Sequence, residues 1–279
     1  MKIDLIAYTN EYEYTVKQIL SADKLNKALF LRLFSDLHRE SRIILADGRA
    51  AGIVLTGRSG STFYCIIFVK KEMRRNGIAS FALQKFEDEV SETCTELSSF
   101  FNIEDEAALQ FSEKHGYRRH YDSVYMEYYG ERPRETPVPV RMYREEDYEE
   151  AQSMYAEAFH RMRVAVGDFP DSKPAPQSAK GRAAWKNDAE NYFLFEDGGE
   201  IVGVGHLDGF EIGSISIRVD KQRQGIGRSF MPYLMNRIFD RGYDKVALEC
   251  VVGNPARKLY DELGFKPIYT ERFVRKKLR

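Results

Sequence analysis

The residues best suited to chemistry stand close together between positions 206 and 228. Gln222-Arg223-Gln224-Gly225-Ile226-Gly227-Arg228 follows a run of strand character, Glu211 to Val219, and opens a helix-period run, Arg228 to Asp240. Two glycines two apart let a backbone turn tightly and approach a ligand closely. The unsatisfied N–H groups and positive dipole end of a helix starting there favour an anion. The expected site is a phosphate cradle. Upstream, Glu211 offers a carboxylate at the start of the strand, with Asp208 and His206 near it as substitutes for proton transfer. Read alone, Glu211 is equally a solvated strand-end carboxylate, and His206 an ordinary packed or capped histidine. Cys250 has no visible His or Asp partner and reads as a small buried hydrophobe.

These residues need elements to position them. A helix with the stripe Met231, Leu234, Met235 and Ile238 should follow the loop, stopped at Gly242 and kinked near its start by Pro232. Lys245 to Val252 reads as a strand, Asn254 to Leu263 as a helix stopped at Gly264, and Phe265 to Lys277 as the last strand. Before the loop, Val138 to Tyr143 reads as a strand and Glu146 to Val166 as a helix. Tyr192 to Glu196 and Ile201 to Leu207 flank a Gly198-Gly199 hairpin turn. The stretch Gly167 to Gly181, with Pro170, Pro174 and Pro176, has no clear period. It is a candidate lid or binding loop, with Asp168, Asp171 and Lys173 as its charges.

The first part of the chain runs through the same series. Strand Ile3 to Tyr8 precedes helical stretches Tyr12 to Leu20 and Lys24 to Leu37. Strands follow at Arg42 to Ala46, Ala51 to Thr56 and Thr62 to Val69, with turns at Asp47-Gly48 and Arg58-Ser59-Gly60. The loop Arg74-Arg75-Asn76-Gly77-Ile78-Ala79 leads into a helix. A strand, Glu96 to Asn102, a helix, Asp105 to His115, and a strand or hairpin, Tyr117 to Tyr129, complete the half. One constant offset carries Gly77 onto Gly225 and Gly116 onto Gly264. The same offset carries Arg75 onto Arg223, Val69 onto Ile217 and Tyr117 onto Phe265. The chain is an internal duplication. Between the copies, Gly130 to Pro139 holds three prolines and four charges, a linker composition. The expected domains are residues 1–130, a linker 131–137, and residues 138–279.

Composition narrows the function classes. With 43% hydrophobic and 30% charged residues, the chain reads as an ordinary globular protein. A net charge of −1 gives no global basic field for nucleic acid. Three cysteines without a Cys-x-x-Cys pair suggest a reducing compartment and neither a disulfide framework nor a metal site. Met1-Lys2-Ile3-Asp4 does not read as a signal peptide, and no apolar run approaches the roughly 18 residues a membrane helix needs. A cytoplasmic protein with neither nucleic-acid nor membrane partners is expected.

Each half resembles an acetyltransferase of the GNAT superfamily, whose signature loop is Arg/Gln-x-x-Gly-x-Gly/Ala. Gln222-x-x-Gly225-x-Gly227 and Arg74-x-x-Gly77-x-Ala79 both fit it. The second signature is similar to Asn254-Pro255-Ala256-Arg257-Lys258-Leu259-Tyr260-Asp261-Glu262-Leu263-Gly264-Phe265. The resemblance covers nearly the whole chain and implies an α/β (α+β) protein of two tandem GNAT folds. Each would be a mixed sheet flanked by helices and splayed between its fourth and fifth strands. The tandem layout is similar to that of mycothiol synthases.

The resemblance also implies roles. Acetyl-coenzyme A would lie in the split, its pyrophosphate on Gln222 to Arg228. The backbone N–H of Ile215 would face the acyl oxygen, and Ile217 and Val219 would pair with the pantetheine arm. Asn254 is either a pantetheine contact or, on its own chemistry, a helix cap. Glu211 would be the base that deprotonates an amine acceptor, and Tyr260 the acid that protonates the leaving thiolate. By period-two alternation Glu211 shares a strand face with Gly213, Ile215 and Ile217. Tyr260 read alone is a core tyrosine. In the first half Phe63 stands where Glu211 does, Ser112 where Tyr260 does and Glu106 where Asn254 does. That copy keeps Arg74, Arg75, Asn76, Gly77, Ile78 and Ala79 as a coenzyme loop but is expected to be degenerate. The expected activity is N-acetyl transfer to a primary amine of a small molecule or peptide, catalysed by residues 138–279. The competing class is an acyl-coenzyme-A-binding regulator or scaffold without transfer.

Overall fold

The structure is a computed structural model describing residues 1–37, 40–59, 62–134, 136–169 and 172–278. Gly60 of the expected turn and Pro170 and Asp171 of the expected lid or binding loop lie outside the described residues. In chain order the elements begin with β1 (Ile3–Ala7), α1 (Glu13–Ser21), α2 (Lys27–Leu37), β2 (Arg42–Ala46), β3 (Arg49–Ser59) and β4 (Thr62–Val69). Then come α3 (Ile78–Val90), β5 (Glu96–Asn102), α4 (Glu106–Lys114) and β6 (Arg118–Tyr128). The second series is β7 (Val140–Met142), α5 (Tyr148–Val166), α6 (Ala179–Asn187), β8 (Tyr192–Asp197), β9 (Glu200–Asp208) and β10 (Glu211–Ile217). It closes with α7 (Ile226–Asp240), β11 (Val246–Val251), α8 (Arg257–Leu263) and β12 (Lys266–Lys277).

The chain forms two compact units, Met1–Asp122 with Tyr269–Arg279, and Ser123–Ile268. This differs from a division at residues 131–137, because each copy gives its last strand to the other unit. In the first unit the strand order is β1-β2-β3-β4-β5-β12. β12 runs antiparallel to β5 from Glu271↔Asn102 to Lys277↔Glu96. Side chains reinforce the pairing. Arg272 donates to Asp122 at 2.8 and 3.0 Å. Glu271, fully buried, meets Arg32 at 3.2 Å. Burial by itself would push the Asp122 carboxyl up, but the Arg272 hydrogen bonds and the Arg272 and Arg119 charges hold it below its ordinary value.

β4 and β5 are parallel and pair only from Thr62↔Glu96 to Tyr64↔Ser98, after which they diverge. Alternation along β4 sends Cys65, Ile67 and Val69 toward α3, where they pack with Ile78, Leu83 and Phe86. Phe68 faces the other way and meets Phe30 of α2 edge-on at 4.6 Å.

In the second unit the order is β6-β11-β10-β9-β8-β7. β6 lies antiparallel to β11 from Ser123↔Val251 to Tyr128↔Val246. β10 and β11 are parallel over two pairs only, Glu211↔Ala247 and Ile212↔Leu248. Beyond Ile212 they part, giving the splayed mixed sheet expected from the sequence. One face packs Ile212, Leu248 and Cys250 against Phe230, Met231, Leu234 and Met235 of α7 and Tyr260 of α8. On the other, Val204 and Leu194 pack with Tyr148, Ala151 and Met154 of α5 and Trp185 of α6. Helix α6 was not expected from the sequence. Ser178 caps it, its Oγ accepting from the Gly181 N–H at 3.0 Å, and Trp185 anchors it by stacking on Tyr192 at 4.3 Å.

Among the described residues no helix is long and apolar enough to cross a membrane.

Candidate active site

The two glycine loops share their backbone bonds and one side-chain tie to the strand. Gln222 Nε2 donates to the Ile217 carbonyl at 2.9 Å, and Arg74 Nε donates to the Val69 carbonyl at 3.0 Å. Arg223 and Arg75 both hold left-handed backbone, with φ of 61° and 66°. Gly225 and Gly77 follow at 90° and 77°. A left-handed residue other than glycine costs roughly 1–2 kcal/mol, so the turn is held against local preference in both copies. The first bonds within the helices are Ser229 N–H to Gly225 O at 3.2 Å and Phe81 N–H to Gly77 O at 3.0 Å. The N–H groups of Ile226, Gly227 and Arg228, and of Ile78, Ala79 and Ser80, therefore lie ahead of the helical ladder and are placed for an anion.

Around the second loop the side chains brace the backbone. Gln224 donates to Asp220 O at 2.9 Å, and Arg228 pairs with Glu262 of α8. Around the first, Arg74 is held by Asp23 at 2.6 Å, and Asn76 donates to Met73 O at 3.2 Å.

The split exposes strand backbone. Arg218 N–H donates to Val202 O on β9 at 2.9 Å. Backbone alternation then turns the N–H and C=O of Ile215 and the N–H of Ile217 the other way, toward the opening, while the Ile217 C=O takes the Gln222 amide. Val219 does not continue this edge as the sequence suggested. β10 ends at Ile217, and Val219–Lys221 form a 3-10 turn closed by Lys221 N–H to Arg218 O at 2.9 Å. Val219 is exposed on that turn, which places the backbone for the glycine loop rather than extending the strand.

Glu211 lies on the face opposite to the one alternation implied. The β9 partners step from Ile212↔Leu207 to Ser214↔His206, so Gly213 is an inserted residue and β10 is bulged there. Opposed residues share a face, which puts Glu211 with Asp208, His206, Ser214 and Ser216 on the α5 side. Ile212, Ile215 and Ile217 lie on the α7 side. Tyr125 of β6 donates its hydroxyl to Glu211 Oε1 at 3.0 Å. On the same face, one residue beyond the last β10–β11 pair, Glu249 stands exposed opposite Tyr125. Sequence reasoning missed both residues. The available signal was their alternation within two strands of the same sheet, but the partnership of β6 with β11 crosses the repeat.

His206 bonds to Asp188 at 2.6 Å, and its ring lies 4.4 Å from that of Tyr192. A Cβ at Gly213 would come within 2.9 Å of His206 Nδ1, so the bulge needs glycine to let the imidazole in. Tyr260 is on the other face of the split, buried beside Phe265 with ring centroids 6.2 Å apart. Burial, and secondarily Cys250, raises its pKa, so the phenol keeps its proton at neutral pH. Burial also pushes the Cys250 thiol up to about 11, which keeps it protonated and a poor nucleophile. Asn254 Oδ1 accepts from the Ala256 N–H at 3.0 Å, a turn at the entry to α8.

The stretch after α5 lies along that helix. Gln152 Nε2 donates to Ala175 O, and Gln177 Nε2 to Glu149 O, both at 2.9 Å. The last residues of the expected irregular loop, from Ala179, belong to α6.

At Gly225 an added Cβ would meet no atom within 4 Å, so the space in front of the loop is open. Gly225→Val is therefore expected to keep the fold while straining the φ of 90° and filling ligand space. If the loop holds a coenzyme pyrophosphate as the resemblance implies, affinity for it should fall by roughly tenfold or more. Titration calorimetry checks this, and unchanged affinity would remove the loop from the site.

Two family matches divide the chain. Residues 143–265 match the acetyltransferase (GNAT) family, and residues 5–128 match the acetyltransferase (GNAT) domain. Among solved structures, a GCN5-related N-acetyltransferase from Sphaerobacter thermophilus is similar at 19% identity and a TM-score of 0.73, covering 99% of this chain and 96% of that one. A tandem GNAT protein from the clavulanic acid biosynthesis pathway is similar at 13% identity and a TM-score of 0.63, over 100% and 99% of the two chains. A GNAT-family acetyltransferase from Colwellia psychrerythraea gives 12% identity and a TM-score of 0.59, covering all of both chains. No curated protein matches the sequence.

Proposed function

Because this chain belongs to the GNAT acetyltransferases, as a tandem of two such domains, we propose that its second unit moves an acetyl group from acetyl-coenzyme A directly to a primary amine. The observation carrying this reading is the bulged, parted edge of β10. Beyond Ile212 the backbone of Ile215 faces the split, the N–H groups of Ile226 to Arg228 lie ahead of the α7 ladder, and Glu211 stands in the last paired stretch before the strands part. Acetyl-coenzyme A would supply an activated thioester. Ile226, Gly227 and Arg228 would hold its pyrophosphate, and the Ile217 and Ile215 backbone would align the arm and the acyl oxygen. The open volume in front of Gly225 fits a phosphate group there.

An amine acceptor arrives mostly as ammonium and must lose a proton. Glu211 takes that proton on the α5 face, where Glu249 adds negative charge and draws a cation. Tyr260, on the α7 face, holds a proton for the departing thiolate. The acid and the base thus flank the split from opposite sides, as direct transfer between two reactants requires.

Thiol release from acetyl-coenzyme A across a panel of amines, peptides and aminoglycosides tests the reading. No release with any acceptor would reject it. Tyr260→Phe, which removes only the hydroxyl, is expected to lower kcat by at least roughly tenfold. Wild-type turnover in that variant would make Tyr260 a core residue only.

A further inference from the structure

We propose that the split of the first unit binds a coenzyme A thioester whose acyl chain is longer than acetyl, and holds it without transferring it. A cavity of about 430 Å³ lies there, walled by β4, the Arg74 to Ala79 loop, α3, β5 and α4. This is the size of a small-molecule site. Its depth comes from one substitution between the copies. Ser112 occupies the backbone place of Tyr260: Tyr117 N–H bonds Ser112 O at 2.9 Å, as Phe265 N–H bonds Tyr260 O at 3.0 Å. In the second unit the Tyr260 ring fills the space before Phe265. In the first, Ser112 is small, turns its hydroxyl to Leu109 O at 2.8 Å, and lines an open volume.

The two ends of the cavity differ in chemistry. The inner end is apolar, with Cys65, Leu83, Phe101 and Tyr117 all buried. The mouth carries Arg75, Lys114 and the N–H groups of Ile78, Ala79 and Ser80. An anionic head and an aliphatic tail match the two ends together; a nucleotide alone leaves the inner end unfilled. Neither group proposed for proton transfer in the second unit has a counterpart here: Ser112 replaces the phenol, and Phe63, at the offset of Glu211, packs against Phe86 on the α3 side. The bound thioester is thus retained intact. This inference is independent of catalysis in the second unit.

Hydrogen exchange on the whole chain tests it, with acetyl-, butyryl- and octanoyl-coenzyme A as probes. Protection of the amides at Ile78 to Ser80 reports the first unit, and protection at Ile226 to Arg228 reports the second. First-unit affinity is expected to rise roughly fourfold per methylene group buried. Ser112→Tyr should abolish that rise and leave the second-unit response to acetyl-coenzyme A unchanged. If circular dichroism shows that variant unfolded, Ser112→Leu serves instead. Equal first-unit affinity for the three thioesters would overturn the proposal, as would octanoate binding as tightly as its thioester. Octanoyl transfer to amines persisting in the Glu211→Gln chain would overturn the claim of retention. Loss of acetyl transfer with the chain-length gradient intact would reject the proposed function alone.

Discussion

Glu211→Gln should lower kcat for amine acetylation by about 10²–10⁴-fold at neutral pH, the range a positioned general base contributes. Gln keeps the size of the side chain and an oxygen able to accept the Tyr125 hydrogen bond, seen at 3.0 Å. Local geometry should therefore survive, and the loss should fall on proton transfer. The affinity for acetyl-coenzyme A, proposed to bind along Ile215, Ile217 and the glycine loop, should stay within a few-fold of wild type. Raising the pH should recover part of the lost rate, because more acceptor then arrives already neutral. Stopped-flow thiol release with parallel calorimetry separates the two quantities. A variant with undiminished kcat would make Glu211 a structural partner of Tyr125 and not a base. His206, held by Asp188 on the same face, would then be the next group to substitute.

Ending the chain at Ile268 should unfold the first unit, although the residues removed are the last in the sequence. β5 would lose its partner from Asn102 to Glu96. Arg32 would lose Glu271, and Asp122 would keep only Arg119, at 3.2 Å. Val274, 2% exposed, would leave a gap in the core beside Leu97 and Phe101. Breaking a buried ion pair costs about 3–5 kcal/mol, and a whole domain has only about 5–15 kcal/mol to lose. The expected result is loss of the first unit's cooperative melt and rapid proteolysis within residues 1–122. A truncated chain melting as the full one does would show that the strand is dispensable.

The duplication was legible because the loops and helix ends carry special backbone. Gly77, Gly116, Gly225 and Gly264 all have positive φ, and the same bonds form around each pair. The parted strands followed from the resemblance those residues support. Other features were not legible. Alternation says which side of a strand is buried, not which strand lies next to it. β6 and β12, as equivalent strands of two copies, are equally suited to β5 and β11, so the exchange left no mark in the pattern. At Gly213 one inserted residue reversed the face of Glu211, and a period of two cannot register a bulge unless the glycine is given that meaning. Val219 kept the strand's composition past its end, while the 3-10 turn is set by the loop that follows.

The exchanged strands also fix an order of events during synthesis. Residues through Asp122 leave the ribosome early, yet β5 faces a missing neighbour until Tyr269–Lys277 emerge. The second unit has all of its strands once Ile268 is out, with Ser123–Tyr128 waiting for β11. The half made first is therefore the half finished last. Its open β5 edge, carrying Leu97, Phe100 and Phe101, is the segment a nascent chain would most need shielded from other strands.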